Sequence, residues 1–324
     1  MSKQIRLDSF GDCAIAALNQ HCQRMLNHEQ AVYQDKDPEA LHQMRVGMRR
    51  IRSALVGFSL AIEIPKSAKE KKVGKIARKL GTLRDLDVLK ETLETDYLPN
   101  LSVEEKEQLN QVFQELEKQR QKAYKTVKKT LESQAYQDLK VGLTGWLENP
   151  KLSAIAPLPI AEVLPDLLLP QVSHFLLHPG WFIQKTESDT VTTILAEKGE
   201  TLHNLRKLAK KARYQMELFT DCYDQTYGQY VKHIKAIQSV LGKIQDNLVL
   251  TEFLTDCRGE AFSQEFPQLL QQITQSQEEK WQEWEQLQQK FLNPSTRQNL
   301  RLTVQNPFPE TNSHLSNHES LAIG

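Results

Sequence analysis

The sequence predicts an all-α fold. Apolar residues recur at intervals close to 3.6 positions through most of the 324 residues, and runs with the alternation of a β-strand are nearly absent. Leu, Gln, Lys and Glu, which favour helices, are plentiful, whereas glycine and proline number only 13 each. This pattern predicts seven long helices, over residues 10–34, 38–61, 66–95, 102–147, 187–222, 227–256 and 262–292.

The second predicted helix has clear signals at both ends. Asp37 precedes Pro38 at its start, where an aspartate side chain caps free N–H groups and proline suits the first turn. Pro65 follows its end, and a residue before proline is disfavoured in a helix. The fourth predicted helix begins with the spacing of a capping box, in which Ser102 and Glu105 each accept from the backbone N–H of the other.

Residues 149–185 interrupt the helical pattern because they contain six prolines. We expect a proline-rich linker with short helices there, and a domain boundary. Its apolar run also carries Glu162 and Asp166, which argues against a membrane-spanning helix. The last residues, 304–324, are polar and could bury little surface, so a disordered tail is expected.

Composition excludes several classes of function. The 41 basic and 41 acidic side chains balance, so the overall charge predicts no polyanionic partner. The four cysteines form no CxxC pair, and the N-terminus lacks the apolar region of a signal peptide; both features are typical of a cytoplasmic protein. The motifs GxxxxGK, GxGxxG, HExxH and GxSxG are absent, and we expect no catalytic residue, cofactor or metal site.

Positive charge is nevertheless concentrated in two blocks. Residues 41–90 contain 13 basic and 4 acidic side chains, and residues 203–250 contain 8 and 4. The rest of the chain is therefore acidic. The distribution of charge along the chain is more informative than its balance, and it points to two cationic surfaces.

The two blocks align without gaps at an offset of 161 residues. The aligned pairs include His42 with His203, Arg45 with Arg206, Arg52 with Arg213 and Phe58 with Phe219. Residues 76–89 align with residues 237–250 at the same offset. We interpret the chain as a duplicated unit of about 160 residues, in which each copy forms a four-helix bundle.

Helical spacing gathers the cations of each block on one face. The stripes are His42, Arg45, Arg49 and Arg52 in the first block and His203, Arg206, Lys210 and Arg213 in the second. The first stripe fits a sector of about 80°, separate from the apolar face. Solvated helix faces usually alternate opposite charges at i,i+4, each pair contributing about 0.2–0.5 kcal/mol, whereas here like charges repel at that spacing. Although a solvated charged face remains the alternative, this pattern favours binding of an anion.

Two glycines and two aspartates recur beside the stripes. Gly81 and Gly242 lie inside predicted helices, where each costs about 1 kcal/mol relative to alanine, and close approach of a neighbouring helix would explain them. Asp85 and Asp246 either accept from an arginine and hold its guanidinium in place, or are simple surface charges.

The segments HQMRVGMRRIRSAL with LGTLRDLDVL, and HNLRKLAKKARYQMELF with LGKIQDNLVL, resemble the CHAD (conserved histidine α-helical domain) family over most of residues 10–295. The resemblance implies two pseudo-symmetric four-helix bundles, a first CHAD bundle at 1–148 and a second at 186–303, around a basic central cavity. It also implies binding of inorganic polyphosphate and location at polyphosphate granules. It assigns the binding residues to His42, Arg45, Arg49, Arg50, Arg52, Lys79, His203, Arg206, Lys210, Lys211 and Arg213. The neighbouring cations that extend this set are Lys72, Lys75, Lys122, Lys125 and Lys207.

Two departures limit what the resemblance implies. Many relatives carry a CYTH domain rich in β-strands, which this sequence lacks, so hydrolysis of phosphate chains is not expected. The last predicted helix of the second copy is acidic and rich in glutamine. We therefore expect non-catalytic binding of polyphosphate, with a nucleic-acid or phosphoprotein scaffold as the alternative and a phosphotransferase as a third class. The stripes contain no aromatic residue between their cations on which bases could stack, and Tyr214 only flanks Arg213.

Overall fold

The computed structural model describes residues 9–307, and these residues are mostly helical and contain no β-strand. The all-α fold is therefore confirmed. The α-helices of this part of the chain are α1 (Phe10–Asn27), α2 (Glu29–Gln34), α3 (Pro38–Gly57), α4 (Glu70–Lys79), α5 (Gly81–Thr92), α6 (Val103–Glu132), α7 (Gln134–Glu148), α8 (Ile160–Leu176), α9 (Val191–Glu217), α10 (Gln225–Arg258), α11 (Phe262–Glu265), α12 (Pro267–Leu292) and α13 (Pro294–Gln305).

Helix α3 begins as the sequence predicts. The Asp37 carboxylate accepts from the backbone N–H of Glu39 at 2.8 Å, and Pro38 occupies the first helical position. The helix ends at Gly57, four residues earlier than expected. There the amide of Gln215, a buried residue of α9, donates to the Ser53 carbonyl oxygen at 2.9 Å and joins the two helices.

Several helices predicted as continuous are interrupted. The predicted helix 66–95 is broken at Leu80, between α4 and α5, where the Arg45 guanidinium donates to the Ala77 carbonyl oxygen at 3.2 Å. A side chain inserted into the helical ladder is a common cause of such a break. The predicted helix 102–147 is broken at Ser133, whose backbone is extended and whose hydroxyl donates to the Thr130 carbonyl. Helices α1 and α2 likewise divide the first predicted helix at His28.

Only half of the predicted capping box at α6 forms. The Ser102 hydroxyl accepts from the Glu105 backbone N–H at 3.2 Å. The buried Glu105 carboxylate instead accepts from the backbone N–H groups of Gln268 and Leu269, at 2.7 and 3.0 Å. These N–H groups belong to the first turn of α12, which begins at Pro267 and has no side-chain cap of its own. A tertiary contact has therefore replaced the local one.

The region predicted as a linker contains the 17-residue helix α8, longer than the short helices expected. Two prolines lie inside it, and its apolar face, including Leu164, Leu168 and Phe175, is buried in the core. The stretch Ile160–Phe182 is long and apolar enough to cross a membrane by length and composition alone. Its buried face is also what a core helix of a globular protein shows, so this stretch is weak evidence for a membrane span.

Two hydrophobic cores hold the described residues together, and each draws on both predicted bundles. The larger runs from Phe10 to Val304, and in it the ring of Phe58 lies 5.6 Å from that of Phe10 and 5.3 Å from that of Phe219. The smaller joins the α5–α6 connection to the α10–α12 connection. The division into two bundles at 1–148 and 186–303 stays a prediction.

Helix α13 was not among the predicted elements. The start of α13 has two usual helix signals. The side chain of Asn293 accepts from the backbone N–H of Ser295 at 2.9 Å, and Pro294 occupies the first helical position. Val304, the first residue of the predicted tail, is buried within it. The remainder of that tail, 308–324, lies outside the described residues.

Candidate anion-binding site

Helices α3 and α9 bring cations of the two sequence blocks around one aromatic ring. The buried ring of Tyr214 has the guanidinium of Arg213 at 4.3 Å, that of Arg49 at 4.6 Å and that of Arg50 at 5.5 Å from its centroid. Cation–π attraction of this kind contributes about 0.5–2 kcal/mol per pair and orients the planar guanidinium groups. Tyr214 therefore positions arginines from both helices.

Carboxylates already neutralise three of the predicted binding residues. Glu217 pairs with Arg50 at 2.5 Å and also with Arg213 on its own helix. Arg52 pairs with Glu70 of α4 at 2.5 Å. These cations hold neighbouring elements together and have less positive charge to offer a ligand.

Arg49 and Lys210 differ because none of the ion pairs in the described part of the chain includes them. The Nε atom of Arg49 is buried and has no acceptor, and burial lowers the pKa of this arginine. Burial, and then the charges of Arg49, Arg206, Arg45 and Arg213, lower the pKa of Lys210 to about 8. Both cations are therefore desolvated without a carboxylate partner among the described residues to stabilise their charge.

Arg45 and Arg206, which the 161-residue offset aligns, each lie against a glycine. A Cβ atom on Gly81 would lie 2.8 Å from Nη1 of Arg45, and one on Gly242 would lie 3.2 Å from Nε of Arg206. The expectation that these glycines admit a neighbouring helix is therefore wrong in its detail, since what they admit is the side chain of an arginine. The Nε atom of Arg206 is itself buried without an acceptor.

The recurring aspartates face these same arginines, as one of the two interpretations of the sequence predicts. Asp85 lies 3.9 Å from Arg45, and Asp246 lies 4.0 Å from Arg206. Both distances are at the outer limit of an ion pair. The Asp85 side chain is largely exposed, whereas that of Asp246 is about half exposed and burial raises its pKa. The two pairs steer the guanidinium groups without saturating them.

The two histidines have different surroundings. Burial lowers the pKa of His42, and although Glu39 opposes that shift, Arg45 and Arg49 add to it. Burial and the charges of Lys207 and Arg206 lower the pKa of His203. His203 also lines a cavity of about 560 Å³ whose other charged residues are acidic, namely Glu200, Glu252 and Asp256. Both histidines thus lie near cations, and His203 also borders a cavity with acidic side chains.

No hydrogen bond or ion pair among the described residues joins the remaining predicted cations to the arginines around Tyr214. These lysines, on α4, α6 and α9, are exposed and lie on helix faces turned away from the core. They are Lys72, Lys75, Lys79, Lys122, Lys125, Lys207 and Lys211.

Sequence reasoning missed the roles of Tyr214 and Glu217. The spacing of Arg213 and Glu217, at i,i+4 on one helix, was the available signal for their ion pair. No local pattern marks Tyr214 as the ring shared by two helices. A cavity of about 610 Å³ is lined by Asp96, Lys243 and glutamines of α12 rather than by the α3 and α9 cations, so a basic central cavity stays a prediction.

Comparison with known proteins bears on this arrangement. The family model of the CHAD domain matches residues 16–255. The crystal structure of the CHAD domain from the plant Ricinus communis is similar with a TM-score of 0.58, at 23% identity over 92% of each chain. PptA from Streptomyces chartreusis is similar with a TM-score of 0.62, at 17% identity over 87% of this chain and 100% of its own. No curated protein matches. At these identities the two structures show a common fold.

Proposed function

The chain belongs to the CHAD domain family, and from this premise we propose that it binds inorganic polyphosphate without catalysing a reaction on it. The observation that carries the proposal is the pair Arg49 and Lys210, desolvated cations on facing helices with no carboxylate partner among the described residues. A bound phosphate chain would supply the missing negative charge and the acceptors for the buried Nε atoms of Arg49 and Arg206.

A linear polyanion suits this arrangement better than a single phosphate does. Arg45 and Arg49 lie along α3, and Arg206 and Lys210 lie along α9, so the donors are distributed over two helices. Guanidinium groups grip phosphate oxygens in pairs, and a lysine acts as a mobile point charge. A chain with a negative charge on every phosphate can engage several of these cations at once, whereas a small anion has fewer charges to offer.

The cations would serve a nucleic acid equally well, but the alternative of a nucleic-acid scaffold lacks a surface for base stacking. Tyr214, the one aromatic residue among the cations, is buried, and three guanidinium groups surround its ring. It offers no face on which a base could stack.

Cytoplasmic location at polyphosphate granules is part of our proposal and would follow from the affinity for polyphosphate.

The test is a titration of the purified chain with long polyphosphate, single-stranded DNA and RNA at matched charge, over a series of salt concentrations. We expect tightest binding to polyphosphate, with the logarithm of the affinity falling linearly against the logarithm of the salt concentration, as for other polyanions. Tighter binding to DNA or RNA at moderate salt would overturn the proposal.

A variant pair connects the titration to the site. Changing Arg49 and Lys210 to glutamine removes two charge-assisted contacts of about 1.5 kcal/mol each, so the affinity should fall about 100-fold. The matched control changes Lys185 and Lys280 to glutamine. It removes the same amount of positive charge, but from lysines that are paired with Glu278 and Glu283. Its affinity should stay within about twofold of the unaltered chain. An equal loss in both variants would show that net charge, rather than this site, controls binding.

A further inference from the structure

Carboxylates divide the cations of α3 and α9 that are not exposed into two groups. Those on the C-terminal side each pair with a glutamate; they are Arg50, Arg52 and Arg213. Those on the N-terminal side have either no ion pair among the described residues or only an aspartate at the outer limit of an ion pair; they are Arg45, Arg49, Arg206 and Lys210. On α3, the boundary between the two groups falls between Arg49 and Arg50.

Glu217 lies at this boundary. Its carboxylate is 2.5 Å from the guanidinium of Arg50 on the facing helix, and it also pairs with Arg213 on its own helix. The side chains of Glu217 and Arg50 are only 16% and 24% exposed, so salt and water screen their attraction little. Oε2 of Glu217 is buried and has this ion pair but no hydrogen bond among the described residues. An anion that took Arg50 would leave that oxygen without its cation, which is costly for a buried carboxylate.

The helices α3 and α9 are in contact on the same side of this boundary. The amide of Gln215 on α9 donates to the Ser53 carbonyl oxygen of α3 at 2.9 Å. Just past the two helices, the rings of Phe58 and Phe219 lie 5.3 Å apart. The side chains of Gln215, Phe58 and Phe219 are buried, so a phosphate chain that lies between the two helices would end here.

We propose that Glu217 is a built-in counter-anion, which withholds Arg50 from polyphosphate and ends the binding surface of α3 at Arg49. The inference rests on the proposed function and sets a limit to it, because only one of two adjacent arginines contacts the anion. Both guanidinium groups lie over the ring of Tyr214, at 4.6 Å from its centroid for Arg49 and 5.5 Å for Arg50. Their different roles therefore follow from the carboxylate rather than from the ring.

The first experiment compares the two adjacent arginines by titration of each purified variant with long polyphosphate. Arg49→Gln should weaken binding about tenfold, because it removes one charge-assisted contact. Arg50→Gln removes the same charge from the next position but should weaken binding less than about threefold, because only a screened field acts on the anion from there. Circular dichroism verifies that both variants stay helical. Equal losses in the two variants would overturn the inference.

Glu217→Gln tests the carboxylate itself, because glutamine keeps the size of the side chain and loses its charge. Release of Arg50 should tighten the binding of polyphosphate about tenfold. One further phosphate contact should also steepen the slope of log affinity against log salt concentration by about 0.7, as for a single-stranded nucleic acid. The matched control Glu278→Gln removes the same charge from a carboxylate paired with Lys185 and should change the affinity less than about twofold. An equal gain in the control would show that net charge, rather than Glu217, limits binding.

A double-mutant cycle separates the release of Arg50 from a general change in the electric field. In the Glu217→Gln chain, Arg50→Gln should weaken binding about tenfold, against less than about threefold in the unaltered chain. If the two effects simply add, Glu217 acts only through its charge at a distance, and the inference is wrong. If Glu217→Gln does not fold, the comparison of Arg49→Gln with Arg50→Gln decides.

Titration of the unaltered chain with polyphosphate tests the proposed function separately. Binding by the Glu217→Gln variant but not by the unaltered chain would overturn the proposed function and support this inference. Binding by the unaltered chain that is as tight as that of the variant would overturn this inference alone. If neither binds polyphosphate, both are wrong.

Discussion

Replacing Gly242 by alanine should separate the stability of the protein from its binding of polyphosphate. Gly242 lies in the middle of α10, where alanine is favoured over glycine by about 1 kcal/mol. The new Cβ atom would stand 3.2 Å from Nε and 3.3 Å from Nη2 of Arg206, closer than ordinary van der Waals contact. The flexible arginine side chain would move away by a few tenths of an ångström, and the fold would lose little.

The affinity for polyphosphate should fall more than the stability, because Arg206 is displaced from its position against Gly242. A charge-assisted hydrogen bond contributes about 1.5–3 kcal/mol, and loss of about 1.4 kcal/mol corresponds to a tenfold weaker affinity. We therefore expect Gly242→Ala to unfold in urea with an unchanged or up to about 1 kcal/mol larger free energy, and to bind polyphosphate about tenfold more weakly.

Gly228→Ala is the matched control in the same helix. A Cβ atom at Gly228 meets no atom within 4 Å, so this variant has the change in helix propensity without the contact to an arginine. It should bind polyphosphate as the unaltered chain does. If the two variants bind equally well, the glycine does not position Arg206. If Gly242→Ala loses more than about 1 kcal/mol of stability, the contact is one of packing rather than of a mobile side chain.

Three other predictions address charge. Polyphosphate should bind the protonated form of Lys210, so its affinity should be constant below the pKa of about 8 and should fall as the pH rises to 9. Calorimetry in buffers of different ionisation enthalpy should detect proton uptake on binding, and Lys210→Gln should abolish that uptake. Loss of polyphosphate binding with full retention of helical circular dichroism is expected in the variant that combines Arg45→Ala, Arg49→Ala and Arg206→Ala. Arg120→Ala should lower the free energy of unfolding by about 3 kcal/mol in a urea titration, because it leaves the buried Asp87 carboxylate without its cation. The control Lys118→Ala removes the exposed ion pair with Glu115 and should lower the same free energy by less than about 0.5 kcal/mol.

The sequence was sufficient for those features that depend on spacing along one helix. The separation of the cationic stripe of α3 from its apolar face follows from helical periodicity, and the buried Met44, Met48 and Ile51 confirm the apolar face. The N-cap at Asp37 likewise depends on residues within one turn. Such local features are predictable because the backbone itself fixes which side chains meet.

Features that depend on contacts between distant helices could not be predicted in this way. The break at Leu80 accompanies an arginine from another helix, and Glu105 leaves its own helix to cap α12. The pairing of Glu217 with Arg50 crosses between α9 and α3 and neutralises a cation that the sequence presents as available. Spacing shows which face a charge occupies, but only the packing of helices shows which charges remain without partners.

Arg45 and Arg206 each lie against a glycine and are aligned at the 161-residue offset, yet the surroundings of their guanidinium groups differ. Arg45 donates to the Ala77 carbonyl oxygen at the break between α4 and α5, whereas α10 stays helical past Gly242. Nε of Arg206 has no acceptor at all. A buried donor without an acceptor costs about 1–3 kcal/mol, which a bound phosphate oxygen could recover. An anion therefore has more to gain at Arg206 than at Arg45, and this difference is why the Gly242 substitution is the sharper probe of the site.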